Sequence, residues 1–211
     1  VLDEPPAPGE PPFKGLRFET TGYLSLFTNQ LIAGTDAGQT LIVNGGATSH
    51  YGVEAATQLG IGSVMRLGFD LDLVGTYNFT HATFRGGDYA GNYVPYSPLH
   101  TGTLVLDAGH PVGVGAQIAA TYTGYQYSDP QNTQADDGTG RVGRIDPFVN
   151  LDVGARYKHK ASGVTVRLAI KNVLDEVYVQ SRRPEGIFPA GYRQIMLGVR
   201  YDFAAKEKTE P

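Results

Sequence analysis

Apolar and polar side chains alternate one for one along most of this chain, which is the period of a β-strand and not of a helix. From Met65 to Phe79, the residues Met65, Leu67, Phe69, Leu71, Leu73, Tyr77 and Phe79 share one phase. Arg66, Gly68, Asp70, Asp72, Thr76 and Asn78 share the other, with Val74 as the exception. The same two-phase ribbon recurs around Val149–Tyr157, Val164–Ile170 and Ile195–Phe203, and again upstream at Tyr51–Leu59 and Val114–Tyr122. The first ribbon runs for about 15 residues, whereas strands of water-soluble domains centre on about 5–6. Eight strands are predicted, at 15–33, 40–60, 63–84, 99–109, 113–127, 147–160, 163–174 and 191–203, with helix content near zero. The fold class is all-β and antiparallel.

The connections predict what kind of sheet this is. Gly60–Ser63, Gly109–Gly113 and Lys160–Gly163 are short, and long segments lie between them at Arg85–Pro98, Ser128–Asp146 and Asp175–Ala190. Short turns at one end and long loops at the other is the layout of a transmembrane β-barrel. The alternation then assigns the faces. Apolar side chains gain about 25 cal/mol per Å² on leaving water, while a Lys or Arg facing lipid at mid-depth costs about 2–4 kcal/mol. The apolar phase therefore faces hydrocarbon and the polar phase lines an interior. Tyr51, Tyr77, Phe79, Tyr122, Tyr157, Tyr201 and Phe203 suit aromatic girdles at the headgroups.

Composition narrows the function classes. Charged residues make up 18% and the net charge is −4, so no basic footprint points to nucleic acid. Cysteine is absent, which removes disulfides and thiolate chemistry. Residues 1–14 read as a Pro-rich lead-in, 15–203 as the strands and 204–211 as a polar tail. Val1 is not Met and no secretory leader follows it, so the chain reads as mature, trimmed or the end of something larger.

Candidate site residues fall into two sets. His50, Glu54, Arg66, Asp70, Asp72, Asp152 and Arg156 lie on the polar phase and are expected to line the lumen, with the acidic residues in ion-pair networks. His50 and Glu54 are about 13 Å apart on a strand, too far to chelate one ion. No metal set is expected, and no catalytic one, since Ser49 and His50 point to opposite faces. No cofactor is implied. In the long loops, Arg141, Arg144, Arg182 and Arg183 could capture carboxylate or phosphate bidentately. They could equally pair with Asp129, Asp136, Asp137 and Glu185 in the same loops. Tyr89 and Tyr93, with Tyr96, form an aromatic patch that either touches a ligand or packs the loop.

Several segments carry a family likeness. Lys171-Asn172-Val173-Leu174-Asp175-Glu176-Val177-Tyr178 resembles the penultimate-strand segment of TonB-dependent outer-membrane receptors, with Val173 and Leu174 standing where that family usually has Leu and Phe. Arg182–Arg193 resembles its last extracellular loop, and Tyr201-Asp202-Phe203 its terminal aromatic, although Ala204–Pro211 follows here. Tyr23–Ile32, Asn44–Glu54 and Val94–Gly102 resemble further strands of the family in the same order. The likeness covers roughly 15–203 and is nearest the ferric-dicitrate-type siderophore receptors.

The resemblance implies a plugged barrel of about 22 strands, of which about fourteen and the plug would lie outside this chain. It implies uptake of a scarce ligand, an iron chelate, in the bacterial outer membrane, with lipid and lipopolysaccharide around the wall. Energy would come from the TonB inner-membrane complex acting through the plug, with no bond chemistry in these residues. A self-contained eight-stranded barrel with a structural, adhesion or lipid-related role is the alternative, and a water-soluble barrel with reversed faces a third. The backbone partners of Leu24 and Leu197, on the two edge strands, separate the first two.

Overall fold

The computed structural model describes residues 14–36, 39–136, 138–183 and 185–203, and the side chains of 32–43 lie outside that description. The lead-in 1–14, apart from Lys14, and the tail 204–211 therefore fall outside the described residues. The chain begins with β1 (Leu16–Phe27), β2 (Leu31–Asp36), β3 (Gln39–Asn44) and β4 (Thr48–Gly60). A single helical turn, α1 (Ile61–Val64), leads to β5 (Asp70–Phe84), β6 (His100–Gly109) and β7 (Val114–Thr123). Then come β8 (Gln126–Tyr127), β9 (Arg144–Ile145), β10 (Phe148–His159) and β11 (Val164–Lys171). The last elements are β12 (Val179–Arg183), β13 (Gly186–Pro189) and β14 (Gln194–Tyr201).

Eight of these form one antiparallel sheet in the order β1-β4-β5-β6-β7-β10-β11-β14. The other six are two-stranded hairpins, β2–β3, β8–β9 and β12–β13. All three hairpins sit in long connections at one end of the wall, at 28–47, 124–147 and 172–193, beside the fourth long loop, 85–99. The opposite end has only 61–69, 110–113 and 160–163.

The register carries the alternation across strands. One row reads Phe18, Thr57, Gly75, Leu104, Ala120 and Leu151. Another reads Ala155, Leu168 and Leu197. All twelve Asp, Glu, Lys and Arg residues of the eight wall strands fall on the other phase. The apolar phase is open to its surroundings: Leu197 is 73% exposed, Leu24 66% and Ile118 48%. A single-layer wall with a bare apolar face is stable where that face meets hydrocarbon, and a reversed, water-soluble barrel would have enclosed it.

Two expectations are corrected, and one alternative is set aside. The strand predicted from 63 starts at Asp70, because Ile61–Val64 forms a helical turn closed by Met65 N–H to Ile61 O (2.9 Å) and Leu67 N–H to Gly62 O (2.8 Å). The alternation of Met65, Leu67 and Phe69 is therefore a turn, and so is Arg66, which has φ 54° and lies exposed outside the lumen row. The strands predicted at 15–33 and 40–60 each break in two, at 28–30 and 45–47, where Gln30 exchanges backbone hydrogen bonds with Gly46 and Gly45 (3.0 and 2.7 Å). Finally, β1 pairs only with β4, and β14 only with β11. Leu24 faces Tyr51 and Leu197 faces Leu168, so among the described residues the sheet does not close on itself. The self-contained eight-stranded barrel is thereby set aside; this is an arc of a wider one.

Candidate functional site

The long loops at the outer end are tied to one another. Asn132 bridges two of them, accepting from Tyr93 N–H (2.7 Å) and donating to Tyr93 O (2.9 Å). Asn92 donates to Pro130 O (2.9 Å), and Tyr96 N–H to Tyr127 O (2.9 Å). The Tyr96 hydroxyl donates to the Arg182 carbonyl, linking the third loop. Burial pushes the Tyr96 phenol above its ordinary pKa, which keeps it a donor. Beneath, Ala82, Phe84 and Val94 form a dry cluster against which Tyr89 packs, its ring 5.6 Å from that of Phe84. Arg85 fastens the wall top, donating to Thr48 O (3.2 Å) and Phe27 O (3.0 Å).

The four loop arginines have different fates. Arg182 is 9% exposed and pairs through Nη1 with Asp136 and with Gly140 O (3.1 Å). That guanidinium, with the Gly138 N–H, holds the Asp136 carboxyl below its usual range. Arg144 is exposed, pairs with Asp146 (2.9 Å) and lies 5.8 Å over the Tyr125 ring. Arg183 lies 4.6 Å over Phe188. Arg141 is exposed and makes no ion pair among the described residues. Asp137 falls outside them. A recess of about 540 Å³ opens between the last two loops, lined by Arg144, Phe148, Leu174, Glu176, Tyr178 and Arg182. Phe148 and Tyr178 stack on its wall at 3.9 Å between ring centroids.

The Asn172–Tyr178 segment works as a knot. Asn172 is 5% exposed at φ 48°. Its N–H donates to Asp152 Oδ1 (2.8 Å), its amide to Glu176 O (2.9 Å) and Gly191 O (3.1 Å), and its Oδ1 accepts from Glu176 N–H (3.0 Å). Asp175 accepts from the Arg193 backbone N–H (2.9 Å) and guanidinium (3.2 Å). Both ends of the last loop are thus pinned to the wall. Sequence reading found these residues only by likeness, because a side chain that satisfies backbone groups in a turn leaves no periodic trace.

Of the expected lumen residues, His50, Glu54, Asp70, Asp72, Asp152 and Arg156 share the phase opposite the apolar row. They are not all brought together. His50 sits at the loop end, bonded to Gln30 (3.0 Å) and Thr48 (3.2 Å), and Asp152 belongs to the Asn172 knot. Asp70, Asp72 and Arg156 gather at the short-turn end. There Arg156 crosses its neighbour strand to grip Asp107 with two bonds of 2.7 Å. Gly115 makes the crossing possible, since a Cβ there would lie 2.6 Å from the guanidinium Cζ. Higher on the wall, Tyr23 lies over Gly52 and meets the Thr80 hydroxyl at 2.6 Å. Among the described residues no cluster is placed to hold a metal ion.

Known proteins share this architecture. The ferric citrate transporter FecA, in its unliganded form, is 26% identical with a TM-score of 0.74, over 88% of this chain and 29% of that one. The ferric yersiniabactin uptake receptor FyuA from Yersinia pestis is 17% identical with a TM-score of 0.68, over 90% and 28%. The copper transporter OprC is 12% identical with a TM-score of 0.69, over 90% and 29%. The chain thus spans under a third of the length of these receptors. Residues 12–173 match the family described as TonB dependent receptor-like, beta-barrel. With its transmembrane arc, its sorted loops and that match, the chain belongs to the β-barrel family of TonB-dependent outer-membrane receptors.

Proposed function

We propose that this arc is part of the wall of a bacterial outer-membrane receptor that takes up an iron chelate, driven by the TonB complex through a plug outside this chain. The observation that supports iron is the 26% identity to a ferric citrate transporter over 88% of the chain. The loop chemistry agrees, since an anionic chelate needs cations on a rigid platform. On this reading Arg141, Arg144 and Arg183 are the guanidiniums that meet the ligand at the outer end. Arg182, Tyr89 and Tyr93 hold the platform on which they stand. The lumen residues line the path inward, and lipid with lipopolysaccharide surrounds the apolar face. A copper transporter of the same fold makes a metal ion the competing cargo.

Growth of a strain lacking the full gene, on ferric citrate, other ferric chelates or limiting copper as the sole source of each metal, separates these cargoes. Loss of growth on one ferric chelate, restored by the gene and not by an Arg141→Ala/Arg144→Ala/Arg183→Ala variant, is the expected result. Unchanged growth on every iron source would overturn the iron reading.

A further inference from the structure

The short-turn end differs from the outer loops in the sign of its charges. Among the described residues outside the strands at this end, at 14–15, 61–69, 110–113, 160–163 and 202–203, the charged side chains are Lys14, Arg66, Lys160 and Asp202. Asp202 is already taken by Arg200 at 2.6 Å and Lys158 at 3.9 Å. Lys14, Arg66 and Lys160 are exposed and make no ion pair among the described residues. His110 adds a donor: its Nδ1 accepts the Val112 N–H (3.3 Å), so the neutral ring carries its proton on Nε2. The long loops, by contrast, mix both signs and pair Arg144, Arg182 and Arg193 with acids of their own.

Apolar side chains stand among these free cations. Met65 is 65% exposed and Val112 62%, and Val64 and Phe69 are exposed beside them. The outward row Leu16, Leu59, Leu73 and Leu106 lies in the strands just above, so the apolar face continues past the strand ends into the turns. A membrane surface suits both kinds of group at once. The apolar side chain sinks to the acyl boundary, and the long basic one reaches back to the phosphates.

We propose that the short-turn rim binds anionic phospholipid headgroups, with Arg66 and Lys160 on their phosphates and Met65, Phe69 and Val112 at the acyl boundary of that leaflet. Charge complementarity names an anion, and the apolar groups between the cations name an amphiphile. The turns carrying Arg66 and Lys160 are four strand spacings apart, about 19 Å. One free phosphate therefore meets only one of them, whereas a leaflet presents phosphates along the whole rim. A sugar–peptide polymer of the cell wall would answer the cations and leave Met65 and Val112 bare. The inference goes beyond the cargo reading and rests only on the barrel lying in a membrane.

The test uses the full-length receptor. In neutral detergent it is titrated with phosphatidylglycerol and with phosphatidylcholine of the same acyl chains, and the lipids retained are counted by native mass spectrometry. Phosphatidylglycerol is expected to be retained in preference, and inorganic phosphate is expected not to displace it. An Arg66→Gln/Lys160→Gln variant should lower the preference about fivefold or more, the effect of one basic residue near an anionic surface. Lys171→Gln, which removes a charge at the loop end, should leave it unchanged. In bilayers containing phosphatidylglycerol, a nitroxide on Met65→Cys or Val112→Cys is expected to meet oxygen more readily than a water-soluble nickel chelate. Equal retention of the two lipids, displacement by inorganic phosphate, or a preference untouched by the double variant would overturn the proposal. So would nitroxides reached mainly by the nickel chelate, or binding to isolated cell wall without any lipid preference. Chelate-dependent growth is scored separately: its absence with the lipid preference intact sinks only the cargo reading.

Discussion

The outer loops and the wall beneath them are stabilised in opposite ways. The loop end has a dry interior: Phe84, at the tip of β5, is 2% exposed and packs with Val94 (6%), and Ile145 in the next loop is 1% exposed. The wall has almost none, and its large apolar residues are its most exposed ones. A loop platform standing in water must make its own core, whereas a one-layer wall borrows its apolar environment from the membrane. The part that looks irregular is therefore packed like a small globular domain. The part that looks regular depends on what surrounds it.

That contrast can be broken at either end. Phe84→Ala should cost about 3–5 kcal/mol through the cavity it leaves. The loss should appear as faster hydrogen exchange in residues 85–99 and 124–147 of the folded receptor, with the wall still protected. Equal loss of protection in the wall would show that the two regions are one cooperative unit. Leu104→Arg, on the outward face, should cost about 2–4 kcal/mol of folding into bilayers. The adjacent inward Thr103→Arg should be nearly neutral in the same urea titration.

Smaller changes sharpen the boundary. Asn172→Ala removes three side-chain hydrogen bonds at the seam between wall and last loop, about 2–3 kcal/mol. It should raise protease cleavage within 172–193. Gly115→Ala puts a Cβ 2.6 Å from the Arg156 guanidinium and should break its grip on Asp107, at about 1–2 kcal/mol. Melting of Gly115→Ala and of Asp107→Asn should then be equal, and the double variant no worse than either.

Acid has the smallest effect. The Asp136 carboxyl is held low by Arg182, so its contribution is complete above the ordinary Asp pKa of about 3.9 and fades as pH falls through its lower folded value. Exchange in residues 134–143 should quicken only below about pH 3.9. Arg182→Lys should move the onset upward.

The same contrast decides what could be read from the sequence. The wall was legible because two media sort side chains with period two, and the twelve charges of the wall strands obey that sorting. The loops were not legible, because packing between separate segments, such as that of Phe84 with Val94, has no period. Arg182 shows the cost: four loop arginines look alike in sequence, and only packing shows that this one is buried against Asp136. Residues 65–69 failed the other way, continuing the alternation by chance through a turn where Arg66 takes a left-handed conformation. The grip of Arg156 on Asp107 follows from register, which fixes who stands near whom across strands and cannot be seen in one strand alone.

β1 and β14 each show the next strand a row of free amides and carbonyls, as open as the cut sides of a hoop segment. Neither hydrocarbon nor lumen water can mend both sides at once. A slice like this holds its shape only when clasped from left and right, so weakening one flank would loosen the whole circumference and not a single stave.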